Sequence, residues 1–284
     1  MPTLRQLRDR VRSLKNTQQI TRAMKMVAGA RIRRAEAAMR AARPYAAAIG
    51  DMLRELARSG GGLDHPLLRS REVKQPAILL MTADKGLCGA FNSNLVRAAL
   101  QAAAQTGPKT MLYLIGFKGR VQLRRSPYRI AEYWPLQGKP FEQAASEVAA
   151  RISSDFLAGE TDAVALISST FVSTIVQRPT KRHLLPLVAD AGARDPSKNS
   201  FEFEPDTKAV LAALLPKYLE FTIFQALLET QASEFAAKLI AMTNATDNAG
   251  KLIDEITLQM NKTRQASITK EILEIAGGAE ALKG

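Results

Sequence analysis

The sequence has 284 residues, a single cysteine and a formal net charge of +13 at pH 7. One cysteine excludes an internal disulfide, and no run of eighteen apolar residues marks a membrane-spanning helix. The charge is uneven, because residues 1–43 carry twelve Arg or Lys against two acidic residues, whereas residues 217–284 carry seven basic against nine acidic residues. This basic first segment predicts contact with an acidic surface, such as nucleic acid, anionic lipid or an acidic protein loop.

Residues 1–58 are predicted to form one long helix that continues past Pro44. Its first apolar residues recur at alternating spacings of three and four, at Leu4, Leu7, Val11 and Leu14. Such spacing forms the seam of a coiled coil. We expect the register to slip across Asn16–Gln19 and to resume at Ile20, Met24 and Val27.

Residues 74–188 change to alternating strands and helices, which is typical of an α/β domain with a mainly parallel sheet. The predicted strands are Ala77–Thr82, Met111–Gly116, Ile130–Trp134, Ala163–Ser168 and a fifth within Ile175–Leu187. The predicted helices are Leu95–Ala104 and Phe141–Leu157. Residues 189–206 are polar and interrupted by Gly and Pro, and we expect a loop or an extended segment there.

Residues 207–284 are predicted to form a second long helix. Its seam residues follow unbroken four- and three-residue spacings at Phe235, Leu239, Met242, Thr246, Ala249, Ile253, Ile256 and Met260. Polar residues then interrupt the stripe before it resumes at Ile268. Because both terminal segments carry seams, we expect an antiparallel coiled coil in which the longer C-terminal helix projects beyond the first.

Few residues are suited to catalysis. The loop Asp84–Asn92 joins a strand to a helix, where open α/β sheets bind ligands, but its glycines match neither nucleotide-binding fingerprint. Cys88 has no histidine in a motif with it, and two histidines with one cysteine do not form a plausible zinc site. Asp254 and Glu255 are adjacent on a helix instead of facing each other across a cleft. We therefore predict no catalytic residue, metal or cofactor.

Two alternatives remain open from the pattern alone. The Arg-rich first helix is compatible with nucleic-acid binding, as in basic regions that fork from a coiled coil. Residues 1–43 contain no aromatic side chain, however, and both helices belong to one chain. The second alternative is a nucleotide-binding α/β enzyme that uses the Asp84–Asn92 loop.

Three long motifs carry a resemblance to a known family. KNTQQITRAMKMVAGARIRRAE (Lys15–Glu36), DKGLCGAFNSN (Asp84–Asn94) and the segment Ala241–Leu282, with AMTNATDNAGKLIDEIT followed by TRQASITKEILEIAGGAEAL, occur in that order. Together they closely resemble the gamma subunit of F-type ATP synthases. The resemblance covers both ends of the chain and the start of its middle domain.

The resemblance implies a rotor shaft without catalytic activity. Its terminal helices would form a coiled coil inside a ring of alternating alpha and beta subunits, beside a Rossmann-like α/β domain. It would also bind the epsilon subunit and the c-subunit ring, and would couple proton flow to ATP synthesis or hydrolysis at the beta subunits. The lack of a presequence resembles bacterial members, so the resemblance implies a peripheral position on the cytoplasmic face of the inner membrane, with membrane association through the complex only and no nucleic-acid partner.

The resemblance also implies residue roles. Met24, Lys25 and Arg33 match positions that face acidic loops of the beta subunits. Arg264, Gln265 and Thr269 match positions that contact a second beta-subunit loop. Phe203 and Glu204 match the foot that meets the c ring and epsilon subunit, and the apolar tip Ile272–Leu282 matches the end held in the upper bearing of the ring.

Overall fold

The structure is a computed structural model that describes residues 3–58, 65–187, 204 and 206–281. The chain divides into two compact units. The helical unit comprises Met1–Ala28 and Leu239–Gly284, and the sheet unit comprises Gly29–Lys238. Two long helices, α1 (Leu4–Arg58) and α5 (Thr207–Ala281), contribute to both units. Pro44 lies inside α1, as predicted, and Pro216 lies inside α5.

The sheet unit contains a five-stranded sheet with the order β3-β2-β1-β4-β5. Its strands are β1 (Pro76–Met81), β2 (Met111–Ile115), β3 (Arg129–Trp134), β4 (Ala163–Phe171) and β5 (Gln177–Leu185). The first four strands are parallel, and β5 pairs antiparallel with β4. The α/β class and the mainly parallel sheet predicted from the sequence are therefore confirmed.

Helices cover both faces of the sheet. These helices are α2 (Phe91–Thr106), α3 (Phe117–Leu123) and α4 (Phe141–Leu157), with a short 3-10 turn at Pro66–Leu68. Alternate residues of β1 divide between two cores, because successive strand side chains point to opposite faces. Leu79 packs in one core with Val148 of α4 and Leu219 of α5, whereas Leu80 packs in the other with Leu95 of α2.

Two local predictions in the sheet unit were wrong. Helix α2 begins at Phe91, four residues before the predicted start, because the Asn92 side chain accepts a hydrogen bond from the Ala83 N–H at 2.9 Å and donates one to Cys88 Sγ at 3.2 Å. Helix α3 was not predicted. The Gly119 N–H donates to Thr82 Oγ1 at 2.9 Å, and this contact with the end of β1 holds the short helix in place.

The helical unit is a coiled coil whose first seam has no register slip. Its positions on α1 keep the seven-residue spacing throughout, at Leu7, Val11, Leu14, Gln18, Thr21, Lys25 and Ala28. Ile20 and Val27, which the sequence placed in the seam, are 61% and 52% exposed. That prediction was wrong, because the seam positions are occupied by two polar residues, Gln18 and Thr21, and not by apolar residues.

A polar layer replaces the apolar contact at this point. Thr246 Oγ1 lies 2.9 Å from Thr21 Oγ1, and Gln18 Nε2 lies 3.4 Å from the Thr246 carbonyl oxygen. Towards the start of α1, Leu7 and Val11 instead pack against Ile253 and Ile256. The first half of α1 therefore runs antiparallel to α5 within this unit, as predicted.

Within the described part of the chain, α5 is the one helix that is long and apolar enough to cross a membrane by length and composition. A single helix of this kind is weak support for a membrane span, since core helices of soluble proteins have the same property. Part of the apolar character of α5 comes from residues that pack in a protein core. Leu211, Leu215, Leu219 and Ile223 are buried in the core of the sheet unit.

Candidate partner-contact surfaces

The residues matched to beta-subunit contacts on α1 lie on two units. Met24 and Lys25 belong to the helical unit, where both are partly exposed beside the seam. Arg33 belongs to the sheet unit and is exposed. Each of the three therefore has solvent-facing surface that is free to meet another molecule. Their neighbours Ile20 and Val27 add exposed apolar surface to the same face of the helical unit.

A basic surface extends along the first turns of α1. In residues 3–28 the exposed cationic side chains are those of Arg5, Arg8, Arg10, Arg12, Lys15 and Arg22. Only Asp9 opposes them in that segment, and it is also exposed. An uncompensated positive surface of this kind favours an acidic partner and accelerates its approach.

The residues matched to the second beta-subunit loop lie where α5 is no longer covered. Met260 is the last residue of α5 that packs in the core of the helical unit. From Arg264 to Gly278 every side chain of α5 is exposed. Arg264, Gln265 and Thr269 are therefore open to a partner, and Thr269 Oγ1 hydrogen-bonds back to the Gln265 carbonyl oxygen at 3.0 Å.

The projecting end of α5 carries an apolar surface beyond these polar residues. Ile268, Ile272, Leu273 and Ile275 are 46%, 60%, 65% and 73% exposed. Large apolar side chains grouped in this way mark a surface that another molecule covers. A single helix of this length is also marginal in water without tertiary packing. The projection predicted from the sequence is thus present, and it has the composition of a docking segment.

Of the two residues matched to the foot, the structure describes one. Glu204 is exposed. Phe203 lies outside the described residues, as does most of the predicted loop 189–206. Helix α5 begins just beyond, at Thr207, and Asp206 supports its first turn because its carboxylate accepts a hydrogen bond from the Ala209 N–H at 2.8 Å.

The loop at the end of β1 is held by packing. The two carboxylate oxygens of Asp84 accept hydrogen bonds from the Phe117 N–H at 2.8 Å and the Leu136 N–H at 3.1 Å. Lys85 is exposed beside a cavity of about 210 Å³. That volume lies below the range of roughly 300–1,000 Å³ typical of small-molecule sites. This loop therefore acts as a structural connection, and the geometry gives no support to a nucleotide site.

Cys88 is buried, and burial raises the pKa of its thiol. A raised pKa keeps the sulfur protonated and unreactive, whereas a nucleophilic cysteine requires the thiolate. The histidines have other positions: His65 Nδ1 accepts a hydrogen bond from the Leu67 N–H at 3.2 Å, and His183 lies on β5. Among the described residues no group of three His, Cys, Asp or Glu side chains is placed to hold a metal ion.

The comparisons with known proteins agree with this architecture. A family model described as ATP synthase matches residues 3–282. The ATP synthase gamma chain of Pelotomaculum thermopropionicum is 45% identical over 284 residues, which is 100% of both chains. The gamma chain of Desulforamulus reducens is also 45% identical, again over 100% of both chains.

The chain belongs to the ATP synthase gamma chain family. Solved structures from the same kind of assembly share its fold. A chain of the Tetrahymena thermophila mitochondrial ATP synthase central stalk and c ring matches with a TM-score of 0.64 and 26% identity, covering 80% of this chain and 99% of that one. A chain of the Euglena gracilis enzyme, described as OSCP/F1/c-ring in rotational state 3, matches with a TM-score of 0.71 and 20% identity, covering 98% and 94%.

Family membership does not by itself explain the polar layer of the helical unit. Of the residues in this layer, Thr246 was predicted to lie in the seam of α5, whereas Gln18 and Thr21 were not predicted to lie in the seam of α1, although a signal for them was present. The seven-residue spacing from Val11 to Ala28 is unbroken once Gln18 and Thr21 are accepted as seam residues. The slipped register was predicted because only apolar residues were taken as seam positions.

Proposed function

We propose that this gamma chain is the central rotor shaft of an F-type ATP synthase and that it has no catalytic activity of its own. Its partners are the alpha and beta subunits that surround it, the epsilon subunit and the c-subunit ring. Proton flow through the c ring turns the shaft, and ATP is made or hydrolysed at the beta subunits. The complex holds the chain at the cytoplasmic face of the inner membrane.

The observation that carries this proposal is the change of surface along α5 within the helical unit. Ile253 and Ile256 pack in the seam, whereas Gln265, only nine residues beyond Ile256, is exposed. An antiparallel pair of helices that continues as one exposed helix has a different outline on each side. A ring of similar subunits around such a shaft meets a different surface at each position.

That asymmetry provides the coupling. A beta subunit that contacts the shaft differently in its open and closed states has its equilibrium shifted by the contact. Rotation of the shaft then changes which subunit is shifted towards which state. The free energy involved is limited to the difference between the two contacts, so the contacts at Met24, Lys25, Arg264 and Gln265 matter for coupling more than for assembly.

The basic surface of α1 suits a contact that must move. Exposed ion pairs contribute about 0–1 kcal/mol each, and they are screened by salt. Cations spaced along the first turns, such as Arg8, Arg12 and Lys15, therefore attract acidic loops without fixing them at one angle. A strong buried pair would resist rotation, since breaking it costs about 3–5 kcal/mol.

Co-expression with alpha and beta subunits tests the proposal. We expect this chain to co-purify with both as one complex that hydrolyses ATP, and we expect the isolated chain to show no ATPase activity. ATP hydrolysis by the isolated chain that Lys85→Ala abolishes would instead support the nucleotide-binding enzyme. Salt-sensitive binding to DNA without any affinity for alpha and beta subunits would support the nucleic-acid binder.

Substitutions on the projecting helix test the beta-subunit contact. Arg264→Ala and Gln265→Ala are expected to lower the ATPase rate and ATP-driven proton pumping of the assembled complex without loss of subunits. Gln259→Ala is the matched control, because Gln259 is also an exposed glutamine on α5. Equal turnover in Gln265→Ala and Gln259→Ala would remove the case for a contact at Gln265.

The foot is tested by separating hydrolysis from proton transport. Glu204→Ala is expected to leave the ATPase activity of the soluble complex unchanged and to lower ATP-driven proton pumping in membrane vesicles, because Glu204 is assigned to the c ring and epsilon subunit. Glu72→Ala, at another exposed glutamate of the sheet unit, is the control. Normal pumping in Glu204→Ala would contradict the assignment.

A further inference from the structure

A second cavity, separate from the surfaces assigned to rotation, opens in the sheet unit. Its volume is about 330 Å³. Three helices of that unit line it, through Tyr45, Glu142, Ala145, Lys217, Glu220, Phe221 and Phe224. The volume falls within the range of roughly 300–1,000 Å³ found for small-molecule sites.

The wall of this cavity is aromatic. The rings of Tyr45 and Phe221 meet edge to face, with centroids 4.7 Å apart at an interplanar angle of 66°. The Phe221 and Phe224 ring centroids are 5.8 Å apart. Tyr45 remains 54% exposed, and its hydroxyl group has no hydrogen-bond partner among the described residues. Three rings at different inclinations thus border one cavity, and all three are covered only in part.

The charge around the cavity is negative, although the chain as a whole is strongly positive. Lys217 Nζ is 2.9 Å from Glu220 Oε2, so these two charges offset each other. Glu142 is exposed and forms no ion pair within the part of the chain that the structure describes. Its carboxylate is therefore an excess negative charge at the edge of the aromatic wall.

Aromatic ring faces and a free carboxylate both attract cations. The face of an aromatic ring carries negative charge density and attracts cations within about 6 Å of its centroid. The carboxylate of Glu142 attracts the same ligands, and both groups repel an anion. From this combination we propose that the cavity binds an organic cation, either a quaternary ammonium compound or the ammonium or guanidinium group of a partner subunit's side chain.

Glu142 also has a purely structural explanation. It lies in the first turn of α4, where a negative side chain interacts favourably with the helix dipole. That role needs no ligand and no aromatic neighbours. The two explanations differ in what Tyr45 does, because Tyr45 belongs to α1 and has no influence on the dipole of α4.

The binding experiment uses the full-length chain and two probes of nearly equal shape. Choline carries a trimethylammonium group, whereas 3,3-dimethylbutan-1-ol carries an uncharged tert-butyl group in its place. The five tyrosines are labelled as 3-fluorotyrosine and followed by fluorine NMR during each titration. We expect choline to shift one resonance, the one that Tyr45→Leu removes, and to bind at least about threefold more tightly than the alcohol. Equal affinity for the two probes would overturn the proposal.

Variants separate ligand binding from helix stability. Glu142→Gln is expected to weaken choline binding about two- to fivefold, and Glu160→Gln, at an exposed acid outside the cavity, is expected to leave it unchanged. Lys217→Gln frees Glu220 and is expected to strengthen binding about twofold, a gain that partial unfolding does not produce. Weaker binding in Lys217→Gln, or unchanged binding in Glu142→Gln, would contradict the cation site.

The same titration in the assembled complex distinguishes the two sources of the cation. If choline still shifts the Tyr45 resonance in the complex with alpha, beta and epsilon subunits, the site is open to a small molecule. If the resonance is already shifted and choline has no effect, a cationic side chain of a partner subunit occupies the cavity. A Tyr45 resonance at its free position that choline does not shift would overturn both forms of the proposal.

Discussion

The polar layer of the helical unit leads to a quantitative prediction. Replacing Thr21 and Thr246 by valine, singly and together, removes two hydroxyl groups that lie 2.9 Å apart in the seam. Valine has nearly the shape of threonine and a similar helix propensity, so the substitutions change hydrogen bonding with little change in packing volume or backbone preference.

The expected magnitude follows from what each hydroxyl retains. Thr21 Oγ1 also reaches the Gln18 carbonyl oxygen at 3.0 Å, and Thr246 Oγ1 reaches the Met242 carbonyl oxygen at 2.7 Å. Neither single variant therefore leaves a hydroxyl without a partner, and each should lose about 0.5–1 kcal/mol of local stability. The double variant loses the same hydrogen bond only once and gains two seam methyl groups. We expect it to be as stable as the unmodified chain or slightly more stable, which corresponds to a coupling energy of about 1–2 kcal/mol between the two positions.

Hydrogen exchange on the full-length chain is the suitable assay, because the chain has two compact units and exchange reports the opening of each unit separately. Peptides from residues 3–28 and 239–263 report the opening free energy of the helical unit. Peptides from β1 and β2 belong to the sheet unit and serve as an internal control that should not change.

Two results would refute this reasoning. If the effects of the single variants add up in the double variant, the hydroxyl groups do not meet and the layer does not exist. If Ile20→Ala destabilises the helical unit by about 2 kcal/mol, Ile20 lies in the seam, and the slipped register is correct after all. With Ile20 at 61% exposed, we expect a loss below about 0.5 kcal/mol.

Three further predictions concern the sheet unit. Gly116→Ala should destabilise the sheet unit, because Gly116 has φ of +91° and an added Cβ would overlap the Thr82 carbonyl. The expected loss of unfolding free energy, measured in urea, is about 3 kcal/mol or more, and a loss below about 1 kcal/mol would contradict this prediction. Burial raises the pKa of Tyr113, whose hydroxyl donates to Asp155 Oδ2 at 2.5 Å. The unfolded state therefore ionises first, stability falls as pH rises above about 10, and Tyr113→Phe should flatten that fall in thermal melts. Cys88 should react with iodoacetamide at pH 8 only as fast as the chain unfolds, and rapid labelling of the folded chain would contradict its burial.

The elements with strong apolar periodicity could be predicted from the sequence. Helix α4 begins and ends at the predicted residues, because its apolar face is regular and Pro140 precedes it. Strands β1 and β2 lie within one residue of their predicted bounds, since both are short apolar runs buried on two faces.

The missed features depend on contacts that are distant in sequence. The start of α2 depends on Asn92 bonding to the end of β1, and α3 depends on Gly119 approaching Thr82. Neither segment has a clear apolar period, and Gly119 lowers helix propensity by about 1 kcal/mol relative to alanine. The seam was misread for a related reason: the Thr21 hydroxyl oxygen accepts a hydrogen bond from Thr246, which lies 225 residues away.

The assignments of surface residues come from motif matching instead of periodicity. Exposure confirms that Arg33, Arg264 and Gln265 are accessible, but accessibility alone does not select a partner. Lys25 is the informative case, because it occupies a seam position at which an apolar residue would be more stabilising. A lysine there is partly exposed and keeps its charge at the surface, where it is accessible to an acidic partner.

Rotation of this chain inside its complex tests the central claim most directly. In a Cys88→Ser background, Gln122→Cys at an exposed position of α3 provides a single attachment point for a visible probe, and the beta subunits are fixed to a surface. We predict unidirectional rotation of the probe when ATP is added, and cessation of ATP hydrolysis when the chain is cross-linked to a beta subunit. ATP hydrolysis that continues at an unchanged rate while the probe stays still, or while the cross-link is intact, would contradict the account.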